Sequence, residues 1–532
     1  MTTEFLDYAA TGAFAPLVLD YLARAPHLAP FYHRFPTLEN LGEQLREKEQ
    51  AYAPAQRALL AGEVRRQYLQ RLGTAIHPAV VANLDRLAEP TTFTVTTGHQ
   101  LSLLTGPLYF IYKIVSTVKL CQQLAAAHPG HHFVPVFWMA TEDHDLAEID
   151  HFSVNGRAYH WLTSQHGATG RMHPDAALAA LLDELAVAVP EASELLAAYR
   201  DAPTLADATR RLVHALFGMW GVVALDADVP ALKTALTPIV QQELIAPVVQ
   251  QAVHRTNEDL AAYYKPQGYV RPINFFFLDD HVRERIERRD DGLFGVLNTH
   301  LTFTGTELAQ LAATNPERFS PNVILRPVYQ ELLLPNLAYI GGGAEVAYWL
   351  QLRGVFAALH VPFPVIVLRN SALVLPATAT TRAGKLGLTA ADFFADVPTL
   401  KRRVAEKLGD APLTLAQEQS AVAAVFDQLR SQAAGIDPTL EKTVAAEAHR
   451  TAKRLDHLRQ RLQRARDRRH ATAFAQVEGL KERLFPKGGL QERSENILAL
   501  LPESPSLLAD LLAAFDPLAA RFTVLSLSQV TD

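Results

Sequence analysis

The sequence predicts an α/β protein with a parallel-sheet core, helical insertions and a C-terminal α-helical coiled-coil region. Three observations carry that expectation. The run Phe133-Val134-Pro135-Val136-Phe137-Trp138-Met139 is apolar almost throughout, as in a strand covered on both faces of a parallel sheet. It closes a strand–helix–strand stretch of about fifty residues that reads as one βαβ unit. Beyond residue 376 only helical periodicity remains until Arg521-Phe522-Thr523-Val524-Leu525.

Residues 1–90 read as a helical segment packing on the core. Phe14, Val18 and Tyr21 share a helix face, and residues 38–72 are rich in strong helix formers, divided near Pro54. Thr92-Phe93-Thr94-Val95-Thr96 is β-branched and reads as the first strand, broken by Gly98. Thr105-Gly106-Pro107 reads as a helix start, with a capping hydroxyl and a proline in the first turn. Leu108, Ile111, Val115 and Val118 then mark one helix face, and Tyr109, Lys113 and Ser116 another. Further strands are expected at 221–226, 273–278, 337–340 and 364–368, with helices after Pro230 and from Ala344 to about Leu359. The α/β core is thus drawn over 91–375, with insertions near 155–218, read as helical, and near 280–320.

Residues 376–532 are expected to form the helical coiled-coil region, with a tail returning to the core. Val422, Val425, Leu429, Ala433 and Ile436 form one apolar seam, and Leu455, Leu458, Leu462 and Ala465 a second. Asp437-Pro438 separates them, as in an antiparallel helical hairpin or a coiled coil that pairs between chains. The arginines from Arg459 to Arg469 on the second arm read first as a solvated face, with a phosphate or partner surface as the alternative.

Composition narrows the function classes. Of 532 residues, 49% are hydrophobic and 20% charged, a soluble globular balance. A net charge of −6 supplies no general field for nucleic acid. No apolar run reaches the length of a membrane span. Cys121, the single cysteine, excludes an intrachain disulfide and reads as inert packing. With no signal-peptide pattern at the start, a cytoplasmic location is expected.

Three loops follow expected strands, where open parallel sheets collect ligands. The first is Thr97-Gly98-His99-Gln100, leading to Thr105-Gly106-Pro107. Gly98 lets backbone approach a ligand, His99 can donate to phosphate, and Tyr109 and Lys113 flank the site. It is neither a Walker loop nor a dinucleotide fingerprint, and an ordinary strand–helix turn is the plain alternative. The second loop holds Glu142, Asp143, His144, Asp145 and Glu148. Such carboxylates can bind an amine, hold a divalent metal or act as a base. His144 and Glu148 are four apart, yet no His-Glu-x-x-His motif is present and no tightly held metal is expected. A solvated acidic helix start is the plain alternative. The third element carries Arg326 and Gln330, then Gly341, Gly342, Gly343 and Glu345. The glycines could cradle phosphate, Arg326 could pair with an anion, and Glu345 could equally cap a helix.

Taken together, the motifs resemble those of one family. Thr97-Gly98-His99-Gln100 with Leu104-Thr105-Gly106-Pro107-Leu108-Tyr109 and Tyr112-Lys113 is similar to its first signature, and Val134-Pro135-Val136-Phe137-Trp138 with Glu142-Asp143-His144-Asp145 to its second. Arg326-Pro327, Gln330-Glu331, Gly341-Gly342 and Glu345 resemble the third, and Leu484-Phe485-Pro486 with Gly488-Gly489-Leu490-Gln491-Glu492-Arg493 the fourth. This is the BshC family, to which the cysteine-adding step of bacillithiol biosynthesis is assigned. The chain departs from it at Leu101-Ser102, where Pro-Gly is common, and at Gly343-Ala344. The resemblance implies a Rossmann-like core with insertions, a coiled-coil homodimer, and amide formation between cysteine and glucosaminyl malate. Carboxylate activation by ATP with Mg²⁺ is the expected route. His99 and Lys113 would then stabilise phosphate charge, and Asp143 and Asp145 would hold the amine or take its proton. Glu142 and Glu148 would orient substrates. Gly98, Gln100, Thr105, Gly106, Tyr109, His144, Arg326, Gln330, Gly341, Gly342 and Glu345 would complete the pocket. A metal-dependent hydrolase or nucleotidyltransferase, and a non-catalytic nucleotide-binding adaptor, are the rival readings.

Overall fold

In the computed structural model five parallel strands lie in the order Val223–Asp226, His132–Met139, Thr92–His99, Asn336–Gly341, Val365–Leu368. The structure describes residues 2–266, 270–409 and 414–528. By position in the chain these strands are third, second, first, fourth and fifth, which is a Rossmann-like order. The direction of winding reverses between Thr92–His99 and Asn336–Gly341. Their carboxyl ends lie side by side there, with Tyr339 opposite Thr96.

The sequence explains why these two strands meet. Thr92–His99 is buried through Gly98, so its threonine hydroxyls need partners inside the protein. Thr94 and Thr96 donate to Asn336 Oδ1 at 3.1 and 2.8 Å, and Thr97 donates to the Ile340 carbonyl at 2.8 Å. Asn336 in turn donates to Glu331, which pairs with Lys48 at 3.3 Å. Burial pushes the Glu331 carboxyl up, against the pull of Lys48, Asn336 and Gln330. On one face of the sheet, Leu41 and Leu45 pack with Phe93, Val95, Leu120, Leu124 and Ile340. Leu120, Cys121 and Leu124 come from the helix Tyr109–Ala127. Cys121 is buried, which pushes its thiol up and leaves it unreactive.

Several elements differ from the sequence expectations. Residues 1–90 are mostly helical but begin with a strand, Thr2–Asp7, paired antiparallel with Arg521–Ser526. Both belong to the compact unit formed by the chain up to Val374 together with the part from Gly489. The strand expected at 273–278 does not join the parallel sheet. It forms as Phe275–Asp279 within a separate five-stranded antiparallel sheet that also holds Val282–Arg288 and Phe319–Pro321. An apolar run of that length does not reveal which sheet it enters. The insertion near 155–218 follows a hairpin, His151–Val154 with Arg157–His160, before its helices begin at Ala176. The helix expected from 344 to 359 is two, Gly343–Trp349 and Arg353–Ala358. Thr105 is not a helix cap: it sits at φ 73° in a turn, its hydroxyl is buried without a partner, and the helix starts at Tyr109.

Leu375–Gly488 form the second unit, which is helical. Its two longest helices, Ala416–Ile436 and Leu440–Arg469, form an antiparallel hairpin about Asp437. Gln419 donates to Asp456 across it at 3.2 Å, and Arg430 pairs with Glu441 at 3.6 Å. Ala433 is buried, while Val425, Leu429, Leu458 and Leu462 remain exposed within this unit. No helix among the described residues is long and apolar enough to cross a membrane.

Lys48→Met tests the buried ladder. It leaves the Glu331 carboxylate without its cation, so stability should fall by about 3–5 kcal/mol. Urea unfolding measures this. A change under about 1 kcal/mol would show that the pair does not brace the switch point.

Candidate active site

A cavity of about 1000 Å³ opens at the carboxyl ends of the first, second and fourth strands of the parallel sheet. Gly98, His99 and Gln100 come from the first strand and its loop, and Glu142, Asp143 and Glu148 from the acidic loop. Gly342, Gly343 and Glu345 come from the glycine turn. The three loops singled out in the sequence therefore line one space.

Lys113 links two of them. Its ammonium donates to the Gly98 carbonyl at 2.9 Å and pairs with Glu345 at 2.6 Å. Burial lowers the Lys113 pKa and Glu345 counters that. Burial likewise opposes the Glu345 carboxylate, but Lys113, the Tyr339 hydroxyl and the Gly342 N–H outweigh it and hold the group below its ordinary value. Tyr339 donates to Glu345 at 2.6 Å and Gly342 N–H at 2.8 Å. The expected phosphate cradle lacks one of its donors. The Gly342 N–H is already engaged by Glu345, which both caps the helix and pairs with Lys113. Gly341 stands outside the lining, where an added Cβ would lie 2.9 Å from Glu345 Cβ.

His99 is half-buried against the rings of Tyr109 and Phe110. Its Nδ1 lies 3.0 Å from the Gln100 carbonyl, which can only accept, so Nδ1 carries the proton and Nε2 the lone pair. Burial and the nearby Lys113 ammonium push its pKa down to about 4. The neutral ring then offers an acceptor at Nε2. Donation to phosphate, the role expected from sequence, is not what this tautomer supplies.

The acidic loop is held by cations and amides. Asp143 accepts from Gln100 at 2.8 Å and from the His144 N–H at 2.8 Å, with Arg283 at 3.5 Å. Burial works against its ionisation, yet His144, the Arg283 guanidinium and the Gln100 amide keep its carboxyl well below the usual range. The same Gln100 amide donates to Glu148. Glu142 pairs with the buried Lys233 at 2.5 Å, and Lys233 also reaches Asp228 at 2.8 Å. Burial, with Asp228 nearby, pushes Glu142 up. Arg283 lies 2.7 Å from His144 Nδ1 and 4.1 Å above the Phe276 ring.

Several expected site residues are placed elsewhere. Asp145 is exposed and lies off the lining. Thr105 and Gly106 are buried in the turn below, where Gly106 O accepts from Asn496 at 2.6 Å. His144 acts through Arg283, and it shares no helix face with Glu148, which sits in a short 3-10 turn. Gln330 acts through Arg326, accepting at 3.2 Å.

The structure also brings in residues that were not among the expected site residues, although Arg493 belongs to the fourth motif. Arg271, Arg283, Arg285, Asn322, Tyr348, Arg369 and Arg493 all line the cavity. Arg369 follows the fifth strand, so the rule that selected the other loops applies to it too. Arg283 and Arg285 lie on the antiparallel sheet and gave no local signal. The lining holds seven cations, Lys113, Arg271, Arg283, Arg285, Arg326, Arg369 and Arg493, against four carboxylates, Glu142, Asp143, Glu148 and Glu345. Such a space suits anions, with one acidic flank for a cation.

Two family models match. "Bacillithiol biosynthesis BshC, N-terminal Rossmann-like domain" covers residues 1–370, and "Bacillithiol biosynthesis BshC, C-terminal coiled-coil domain" covers 372–527. A Flavobacterium johnsoniae protein named "Putative cysteine ligase BshC" is 37% identical, with 99% of this chain and 100% of the relative aligned. Proteins of the same name from Cytophaga hutchinsonii and Geobacillus kaustophilus are 37% and 31% identical. Their alignments cover 95% and 81% of this chain, and 95% and 83% of the relatives.

His99 gives a pH test. A folded pKa of about 4 against an ordinary 6.5 means the unfolded chain binds the proton first as pH falls. Stability from neutral His99 is thus complete above about pH 6.5 and is lost as pH falls towards 4. His99→Gln should lose less thermal stability than the parent chain between pH 7 and pH 5, as read by melting temperature. Parallel pH profiles would remove this assignment.

Proposed function

This chain belongs to the BshC family, and from that premise we propose that it is a cysteine ligase acting in bacillithiol biosynthesis. It joins the carboxylate of cysteine to the amine of glucosaminyl malate. One observation carries the reading: a single cavity at the sheet's switch point sets a cationic lining against the strongly ionised Asp143. Both halves are required, because the reaction brings together anionic groups and an amine.

A carboxylate and an amine do not condense unaided, so activation by ATP is part of the proposal. The cysteine carboxylate attacks a phosphorus of ATP and displaces ADP from the γ position, giving an acyl phosphate, or pyrophosphate from the α position, giving an acyl adenylate. The sugar amine then attacks the acyl carbon, and the activating phosphate or nucleotide leaves. Lys113 and Arg326 line the cavity and would stabilise the negative charge that builds on the phosphoryl oxygens. Arg326 suits this because, among the described residues, it has no carboxylate at ion-pair distance. It is held by Gln330 at 3.2 Å and Tyr348 at 3.4 Å. Asp143 orients an ammonium and is a poor proton acceptor, since its carboxyl is held so far down. The His99 Nε2 lone pair can accept a hydrogen bond from the amine. Asp143 and Glu148, both bonded to Gln100, are the lining carboxylates that would meet a nucleotide-borne Mg²⁺ on the acidic flank. Any metal held by these acids requires their release from Gln100 and Arg283, and a hydrolase that also used Glu142 would have to free it from Lys233.

Homodimer formation is part of the same reading. Val425 and Leu429 on one arm, and Leu458 and Leu462 on the other, are apolar and open within the helical unit, as in a coiled coil that pairs with a second copy.

Incubation of the purified chain with ATP, Mg²⁺, cysteine and glucosaminyl malate should yield the amide by mass spectrometry, with nucleotide consumed. Lys113→Met should lower the rate by roughly 10²–10³-fold. Absence of product from the parent chain, with nucleotide turnover independent of cysteine, would overturn the ligase reading. Val425→Glu with Leu429→Glu should shift sedimentation from dimer to monomer. A parent chain that sediments as a monomer would sink the dimer.

A further inference from the structure

We infer that Arg369 binds an anionic oxygen of a substrate through its Nε–H, and that Glu492 is the positioning residue that aims it. The inference deepens the ligase reading and rests on it only for naming the ligands. Neither residue belongs to the three loops from which the site was first drawn.

The geometry begins with what Arg369 already does. Nη2 donates to Glu492 at 2.7 Å, and Nη1 donates to the Asn370 carbonyl and the Ser371 hydroxyl, both at 3.0 Å. Nε–H is buried and has no partner. The residue is 6% exposed and lines the cavity. A buried charged donor left unsatisfied is costly, so a partnerless Nε–H on a guanidinium at the cavity wall points to an acceptor that arrives with the ligand. Its direction follows from Gly342: a Cβ added there would lie 3.6 Å from Nε. The guanidinium carbon lies 5.6 Å from the Tyr109 ring centroid, so the group stands between the glycine turn and the start of the Tyr109–Ala127 helix.

Glu492 explains why the guanidinium holds this pose. It is fully buried, and its second oxygen accepts from the Ala372 N–H at 3.0 Å. Its neighbour Gln491 donates to the Val374 carbonyl and accepts from the Val374 N–H, both at 3.0 Å. The segment at 491–492 is thus tied to residues 372–374 by side-chain groups that satisfy backbone. Arg369 cannot turn away from the cavity without stranding Glu492. The cavity-lining Arg493 follows directly in the chain.

The ligand chemistry is an anionic oxygen, carried by a carboxylate of the malyl group or by a phosphoryl group. Calorimetric titration of the full chain at fixed ionic strength, with malate and with inorganic pyrophosphate separately, distinguishes the two. Arg369→Gln should weaken one or both roughly ten- to hundredfold. Loss for malate alone assigns a carboxylate, and loss for pyrophosphate alone a phosphoryl group. Arg369→Lys should restore little, because lysine has no donor at the Nε position. Should Arg369→Gln fail to fold, Gly342→Ala places a methyl against Nε and should give the same loss. Glu492→Gln should weaken the same ligand, and adding it to Arg369→Gln should cost nothing further, a coupling that a merely structural role would not produce. Unchanged binding of both anions in the folded variants overturns the inference and leaves the ligase reading standing. A parent chain that binds neither anion overturns both.

Discussion

The cavity depends on one buried ammonium. Lys113 is 5% exposed, and taking its charge out of water costs several kcal/mol unless partners replace the solvent. Those partners are the Gly98 carbonyl at the end of the first strand and Glu345 just after the fourth. Glu345 in turn collects the Tyr339 hydroxyl and the Gly342 N–H. Two strand ends, a helix and a glycine turn are therefore fixed by one ion pair and its hydrogen bonds. The sheet order leaves room between the diverging connections, and Lys113 gives that room its shape.

Charge inside the cavity is arranged by the same rule. Three of the four inward carboxylates have a cationic counterpart: Glu345 has Lys113, Glu142 has Lys233, and Asp143 has Arg283, while Gln100 serves Asp143 and Glu148 together. Such pairing holds Asp143 and Glu345 below their ordinary values and makes them poor general bases, whereas burial and Asp228 push Glu142 up despite Lys233. The cations are in excess, seven to four, so the charge of the lining suits anions, and its acidic flank suits an ammonium. His99 fits as the neutral member, since burial beside Lys113 disfavours a second positive charge there.

The parts legible in the sequence were those governed by local pattern. The run from Phe133 to Met139 and the β-branched stretch from Thr92 identified two central strands, and the position of loops after strands singled out His99, Asp143 and Glu345. What escaped depended on long-range partners. Phe275–Asp279 reads like any buried strand, and only its antiparallel neighbours Val282–Arg288 and Phe319–Pro321 decide its sheet. Thr105 has the chemistry of a cap, yet Leu104 and Thr105 take left-handed backbone and move the helix start to Tyr109. Gly341-Gly342-Gly343, read as an anion cradle or a capped helix start, has its Gly342 N–H taken within the chain. The nearest anion is the chain's own Glu345, three residues on from Gly342.

The cavity is built in two ways, and the difference bears on how it forms. Its acidic flank is local, drawn from Gln100 and the loop from Glu142 to Glu148. Much of its cationic lining is not: Arg283 comes from an inserted sheet, Arg369 from beyond the last parallel strand, and Arg493 from a segment the chain reaches only after the helical unit. Arg369 is fixed by Glu492 from that same late segment. Bringing like charges together around a partly buried space is unfavourable unless each is paired as it arrives. Glu345 and Glu492 provide that pairing for Lys113 and Arg369. The parallel sheet with its Tyr109–Ala127 helix therefore supplies the location and Lys113, whereas Arg283 and Arg493 in the cationic lining come from the insertion and the tail.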